Sequence, residues 1–245
     1  MSDHLRISRR LDIEPAAKVT LETVRRWMEL FSETASEREN WLTQLDAAIG
    51  DGDHGANLRR GMKAVVIMLG ETAPTSLAGQ FRTISSALTT SVGGASGPLY
   101  GTYFLHCAQA GTNKNDLTLG DFTLAAEAGY RGIVQLGKAS VGDKTMVDGL
   151  AAGLVSLRGS VARREPLRVA LRACAVAMEQ AAVATIPLVA RRGRASYLGE
   201  RSAGHQDPGA ASAALLFQAL ADALEPAAAT SSSSRQNHQP TLASL

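Results

Sequence analysis

The sequence predicts an all-α fold, on three observations. Apolar residues recur at steps of three and four along most of the chain, the period of one helix face. No segment sustains the period-two alternation of a half-buried strand. Composition agrees: apolar residues make up 45% of the 245, alanine is abundant, and aromatic residues are only 4%. A β-sandwich would want more aromatic and β-branched side chains.

Leu21, Val24, Trp27, Met28 and Phe31 mark the first helix. Ser36 and Glu39 form a capping-box pattern before Trp41, Leu42, Leu45, Ala48 and Ile49, so a second helix is expected to open there. A third runs from about Asn57 to Leu69, and a fourth carries Phe81, Ile84 and Leu88. Pro98 suits the first turn of a fifth helix reaching Ala110. Thr118 and Asp121 open a sixth that reaches about Lys138. A seventh starts near Thr145, an eighth near Pro166 and a last near Pro208. Four connecting loops are rich in Gly, Ser and Asp: 50–55, 92–97, 137–144 and 193–209. Residues 1–14 are polar, and 227–245 are rich in Ala, Ser and Gln, so both ends are expected to be loose. A single helical domain over 15–226 remains, large enough for a substantial core.

Charge removes several function classes. The 25 Lys and Arg nearly balance 23 Asp and Glu, for a net charge of +2, which argues against a nucleic-acid-coating protein. Stacking platforms for single strands would also need more aromatic residues. Cys107 and Cys174 form no CxxC pair and are too few for a zinc framework, so buried thiols are expected. The N-terminus shows no apolar signal region, and the apolar run 181–190 contains Pro187 and is too short to span a bilayer. The expected location is the cytoplasm, with no membrane or nucleic-acid partner.

Chemistry concentrates in Asp46-Ala-Ala-Ile-Gly50-Asp51-Gly52-Asp53-His54-Gly55-Ala56-Asn57. Asp46 falls near the end of an apolar helix, where the dipole disfavours an acid. Asp51 and Asp53 add charge, and Gly50 and Gly52 permit a tight turn between them. Three converging carboxylates repel unless a cation neutralises them, and a hard divalent ion suits oxygen ligands. A solvated acidic turn without ligand is the alternative. The run is a literal GxGxxG, but helix rather than strand precedes it, and its carboxylates would repel a pyrophosphate. A calcium loop counted from Asp51 would need Glu where Met62 stands.

Three further loops have small residues suited to an anion. Gly93-Gly94-Ala95-Ser96-Gly97-Pro98 leads into a helix, so free backbone N–H groups and the helix dipole can meet a phosphate. It can equally be an ordinary turn. His205-Gln206-Asp207-Pro208-Gly209 also opens a helix, with Asp207 as a candidate N-cap. GIVQLGK at 132–138 approaches a Walker loop, but Ala139 replaces the metal-binding Ser or Thr, and no strand precedes it. Gly142-Asp143-Lys144-Thr145-Met146 is a further loop of this kind, and Arg194 offers a guanidinium for phosphate or for solvent. Together these point to a phosphate ligand bound through Mg²⁺, either a nucleotide or a diphosphate ester. A terpenoid-synthase-like enzyme would need an aromatic cavity and paired Asp residues rather than the DxxxxDxD found here.

LDAAIGDGDHGANLRRGM at 45–62, GGASGPLYGTYF at 93–104, GDKTMVDGL at 142–150 and GRASYLGERSAGHQDPGA at 193–210 resemble the L-subunit family of dihydroxyacetone kinases. The resemblance spans about Ala16 to Leu224, with four motifs in order. It implies an antiparallel eight-helix barrel with a nucleotide site in loops at one end. It implies that Asp46, Asp51 and Asp53 hold two Mg²⁺ ions bridging the phosphates of ADP or ATP. It implies nucleotide contacts at His54, Gly55, Ala56, Asn57, Ala95, Ser96, Gly137, Met146, Arg194, Asp207, Pro208 and Gly209. Arg194 would also stabilise the moving phosphoryl charge, Ser96 would help cradle phosphate, and His54 would not itself be phosphorylated.

The family further implies a separate K subunit that holds the sugar covalently on a histidine. A chain without that domain favours the branch in which bound ADP is a cofactor. There a phosphohistidine protein of the sugar phosphotransferase system rephosphorylates it. A separate ATP-dependent keto-sugar kinase subunit is the other branch, and a nucleotide-sensing binding module is the rival class. A homodimer is compatible with all of these.

Overall fold

The computed structural model describes residues 17–225. The two expected loose ends, 1–14 and 227–245, lie outside the described residues. Among the described residues nine α-helices form: α1 (Leu21–Glu37), α2 (Glu39–Ile49), α3 (His54–Thr72), α4 (Leu77–Ser91), α5 (Ser96–Ala110), α6 (Leu119–Gly137), α7 (Met146–Ala162), α8 (Leu167–Ala184) and α9 (Pro208–Ala223). A 3₁₀ segment, Arg194–Ser202, lies between α8 and α9. Among the described residues there is no strand, only an isolated antiparallel bridge between Val19 and Leu117.

Helix starts follow local chemistry. Thr20, Ser76, Thr118, Thr145 and Asp207 each accept a first-turn backbone N–H, as N-caps do. Thr118 with Asp121 closes the capping box expected for α6, and Pro208 occupies the first turn of α9. The Ser36–Glu39 capping box does not form. Helix α1 continues through Glu37, so Ser36 is still in helical backbone, and its hydroxyl donates back to the Ser32 carbonyl. Arg38 alone separates α1 from α2, and it makes no side-chain cap. Helix α3 begins at His54, three residues earlier than the apolar pattern indicates. The 193–209 loop is also more ordered than its composition implies, because its 3₁₀ turns pack Ala195 and Leu198 with Ile49 and Ala190.

Eight helices close a ring in the order α1, α3, α4, α5, α6, α7, α8, α9, with α9 packed back on α1. This is the barrel the resemblance implies. Helix α2 stands outside the ring, against α3, α9 and the 3₁₀ segment. Most connections in the ring are short, which makes neighbours antiparallel, so alternate loops emerge at one end. That end therefore gathers the loops 50–53, 92–95, 138–145 and 185–207, and with them the N-termini of α3, α5, α7 and α9.

The few aromatic residues are concentrated inside the ring. Trp27 packs on Phe104, Phe122 and Phe217 with ring centroids 5.5, 6.4 and 6.4 Å apart. The Trp27 indole N–H donates to the Leu216 carbonyl at 2.7 Å, so no polar atom of this side chain is left unpaired. Alanine has its use in α9, where Ala210, Ala211, Ala213, Ala219 and Ala221 are buried. Their small side chains let α9 sit against α1, α7 and α8 at once. Cys107 and Cys174 are free and buried, as expected, and burial raises both thiol pKa values. No described helix is long and apolar enough to cross a membrane.

Candidate functional site

The cleft at the gathered end encloses about 920 Å³. On one wall, α2 ends and α3 begins, and Asp46, Asp51 and Asp53 bring one carboxylate oxygen each within 4.8 Å of one another. Asp46 is buried, and its Oδ2 accepts the backbone N–H groups of Asp53 at 2.9 Å and His54 at 3.1 Å. That leaves its Oδ1 for a cation. A Cβ on Gly50 would fall 2.1 Å from this Oδ1, so only glycine lets the carboxylate lie over the turn. Gly52 has φ +74°, the left-handed conformation that side chains resist. A dense oxygen donor set on a rigid backbone turn fits a hard divalent ion.

The helix N-termini beside the acidic turn supply positive ends. Neither Asp53 at the start of α3 nor Ala95 at the start of α5 makes a side-chain cap. The first-turn N–H groups of Gly55 and Ala56, and of Ser96 and Gly97, therefore have no helical acceptor. They and the two helix dipoles favour an anion beside the acidic turn. Asn57 is fixed as a donor toward the cleft, because Arg60 Nη2 donates to its Oδ1 at 2.7 Å and leaves Nδ2 free. Gly93 backs directly onto Asn57, where a Cβ would come within 2.8 Å.

The 185–207 crossover forms the opposite wall and places Arg194 across the cleft, where Nη2 meets Asp51 Oδ2 at 2.9 Å. Both side chains are substantially exposed, so this pair adds little stability and can open for a ligand. Asp207 is the N-cap of α9 and is itself buried. Burial pushes its pKa up to about 7, helped by Asp148 and Asp46 and opposed by the Ala210 N–H and Lys144. His54 is also buried, which lowers its pKa despite Asp46, Asp53 and the Pro208 carbonyl.

Of the residues singled out by sequence, Asp46, Asp51, Asp53, His54, Asn57, Ala95, Ser96, Met146, Arg194, Asp207, Pro208 and Gly209 line this one cleft. Gly55, Ala56 and Gly137 do not line it. Gly55 faces α2, where a Cβ would strike the Glu39 carbonyl, and Gly137 lies behind the cleft residue Leu99.

A family model described as the DAK2 domain matches residues 48–222. The chain belongs to the DAK2-domain family. Among its relatives is the "PEP-dependent dihydroxyacetone kinase, ADP-binding subunit DhaL" of Escherichia coli K12. It is 44% identical over 195 residues, which cover 80% of this chain and 93% of that one. The "PTS-dependent dihydroxyacetone kinase, ADP-binding subunit DhaL" of Lactococcus lactis is 40% identical, over 82% of this chain and 97% of its own. The crystal structure of the dihydroxyacetone kinase from C. freundii in complex with AMP-PNP and Mg²⁺ superposes with a TM-score of 0.62 at 27% identity. That likeness covers 91% of this chain, which spans 37% of the longer kinase chain.

This DAK2 domain also holds buried charged groups beside the cleft whose contacts the sequence does not reveal. Lys144 is almost wholly buried, with φ +62°. Its ammonium donates to the carbonyls of Thr185, Ile186 and His205, and so ties the 138–145 loop to the crossover. Burial lowers its pKa, while Asp207 and Asp148 act in the opposite sense. No local pattern announces this, because the acceptors lie more than forty residues away. Asp148 accepts from Thr145 N–H at 2.7 Å and from Gly142 N–H, which fixes the same loop. The Thr-x-x-Asp spacing would have revealed that capping box.

Proposed function

We propose that this chain is the nucleotide-binding subunit of a kinase for dihydroxyacetone or a related keto-sugar. The observation that carries the reading is the acidic turn set directly against the uncapped N-termini of α3 and α5. The turn takes cations and the helix N-termini beside it take anions, which is the pairing a metal–diphosphate requires. The relatives named as ADP-binding subunits of dihydroxyacetone kinases support it.

In this reading Asp46, Asp51 and Asp53 hold two Mg²⁺ ions. When bound, the ions neutralise phosphate oxygen charge. The chain's own groups orient the nucleotide. The Ser96 N–H at the start of α5 and the Asn57 amide donate to phosphate oxygens, and Gly55 and Ala56, set back from the cleft lining, shape the first turn of α3. Met146, Asp207, Pro208 and Gly209 border the same cleft, with Ala95, and Gly137 supports it through Leu99. Arg194, whose exposed pair with Asp51 can open, would meet the developing phosphoryl charge. The sugar sits on a separate K subunit. Bound ADP is rephosphorylated by a phosphohistidine protein of the phosphotransferase system, in keeping with the PEP- and PTS-dependent relatives. The functional unit is the helical domain 15–226, acting in the cytoplasm.

Asp51→Asn with Asp53→Asn tests the metal assignment. The double variant should keep its helical circular dichroism and lose Mg²⁺-dependent ADP binding by at least about a hundredfold, as expected when charged ligands are removed. Unchanged ADP binding in chelator rejects it. Denaturing the purified wild type should release ADP. An empty chain that turns over ATP with a K subunit makes ATP the donor instead, and no phosphoryl transfer at all favours a sensing module.

A further inference from the structure

A buried chain of hydrogen bonds behind the cleft joins three helices. Ser212, on α9, is fully buried. Its Oγ lies 2.7 Å from the Tyr100 hydroxyl on α5, 2.9 Å from His54 Nε2 on α3, and 3.1 Å from the Gly209 carbonyl. The other imidazole nitrogen, Nδ1, lies 3.1 Å from Ser96 Oγ at the cleft. We infer that Ser212 is a positioning residue that fixes which nitrogen of His54 carries its proton, and thereby turns the Ser96 hydroxyl proton away from the ligand.

The assignment follows from valence. A serine hydroxyl has one proton and two lone pairs. Ser212 is the hydrogen-bond partner of the buried Tyr100 hydroxyl, so Tyr100 donates and fills one lone pair. The Gly209 carbonyl can only accept, so it takes the Ser212 proton. One lone pair remains, and it can only receive an N–H from His54 Nε2. The reverse arrangement would aim a Ser212 lone pair at the Gly209 carbonyl in a buried, poorly screened place. His54 is then the Nε2–H tautomer, with Nδ1 bare. Ser96 must donate its own proton to that Nδ1.

For the cleft this sets a polarity. Ser96 Oγ shows only lone pairs outward and receives a group that donates a hydrogen bond. Phosphate oxygens go instead to backbone N–H groups and to the Asn57 amide. This consequence rests on the proposed nucleotide site, whereas the tautomer does not.

The test uses the full chain without ligand, labelled with ¹⁵N-histidine, at about pH 8 where imidazole is neutral. The His54 signals are those lost in His54→Asn. Wild type should show the Nε2–H tautomer. Ser212→Ala should shift it to Nδ1–H, because Ser96 is then the only side-chain acceptor left at the ring, with the Pro208 carbonyl the one competing acceptor. Tyr100→Phe should leave Nε2–H, because Gly209 still takes the Ser212 proton. Mg²⁺·ADP affinity should fall about tenfold in Ser212→Ala, the scale of one misdirected hydrogen bond, and less than about threefold in Tyr100→Phe. An Nδ1–H wild type, or Nε2–H persisting in Ser212→Ala, overturns the inference. The expected tautomers with unaltered affinity overturn its role toward the ligand. Failure of the nucleotide reading looks different: no variant binds ADP while the tautomers behave as described.

Discussion

Asp207 shows how far a single side chain departs from its sequence expectation. The pattern before α9 identifies it as an N-cap, and it accepts the Ala210 N–H as such. Its burial, and so its pKa near 7, is invisible locally. An unfolded Asp titrates near 3.9, so between about pH 4 and 7 the folded chain holds a proton that the unfolded chain has lost. Raising the pH through that window therefore favours unfolding. In ligand-free protein, Asp207→Asn keeps a capping oxygen and removes the titration. Urea midpoints should fall less between pH 5 and 7 in the variant than in wild type. Equal slopes would place Asp207 outside the account. Asp46, Asp51 and Asp53 are the opposite case: their spacing and intervening glycines alone announce a convergence that the turn delivers.

At the scale of elements, helix period was legible nearly throughout, because an amphipathic face is a one-dimensional signal. The capping pairs Thr118–Asp121 and Ser36–Glu39 look alike in sequence, yet only the first forms. Whether a Ser caps a helix depends on whether the preceding helix has already stopped, and that is decided by what α1 packs against. The 185–207 crossover was the least legible element. Its 3₁₀ turns have few apolar residues and are held by packing on Ile49 and Ala190, while the Lys144 ammonium ties the two ends of the crossover. Lys144→Met should cost about 2–4 kcal/mol, because buried carbonyls lose a charged donor. Hydrogen exchange should then accelerate over 185–207 while α4 to α6 keep their protection. Acceleration across the whole ring would show that the lysine supports the global fold rather than the crossover.

The whole molecule unites what the loops suggest separately. An up-and-down ring of eight helices places every second loop at the same end, so four glycine-bearing loops and four helix N-termini share one cleft. A ligand spanning α2, α3, α5, α7 and the crossover should stabilise the ring as a unit. Mg²⁺·ADP at about a hundred times its dissociation constant adds about 2.7 kcal/mol. For a domain of this size that raises the midpoint of thermal unfolding by about 5–10 °C. Scanning calorimetry with ADP, with Mg²⁺ and with both checks it, and the large shift should need both.

The sequence by itself determined the helices, the acidic turn and its chemistry, and the family, because each is written in residues close together along the chain. Tertiary structure alone decided that Arg194 faces Asp51, that Lys144 and Asp207 are buried, and that Ser212 reaches His54 from α9. Those facts depend on which helix lies beside which, over separations of 158 residues for Ser212 and His54. Local periodicity and spacing carry no record of such neighbours. They are set by how the apolar faces close into a ring.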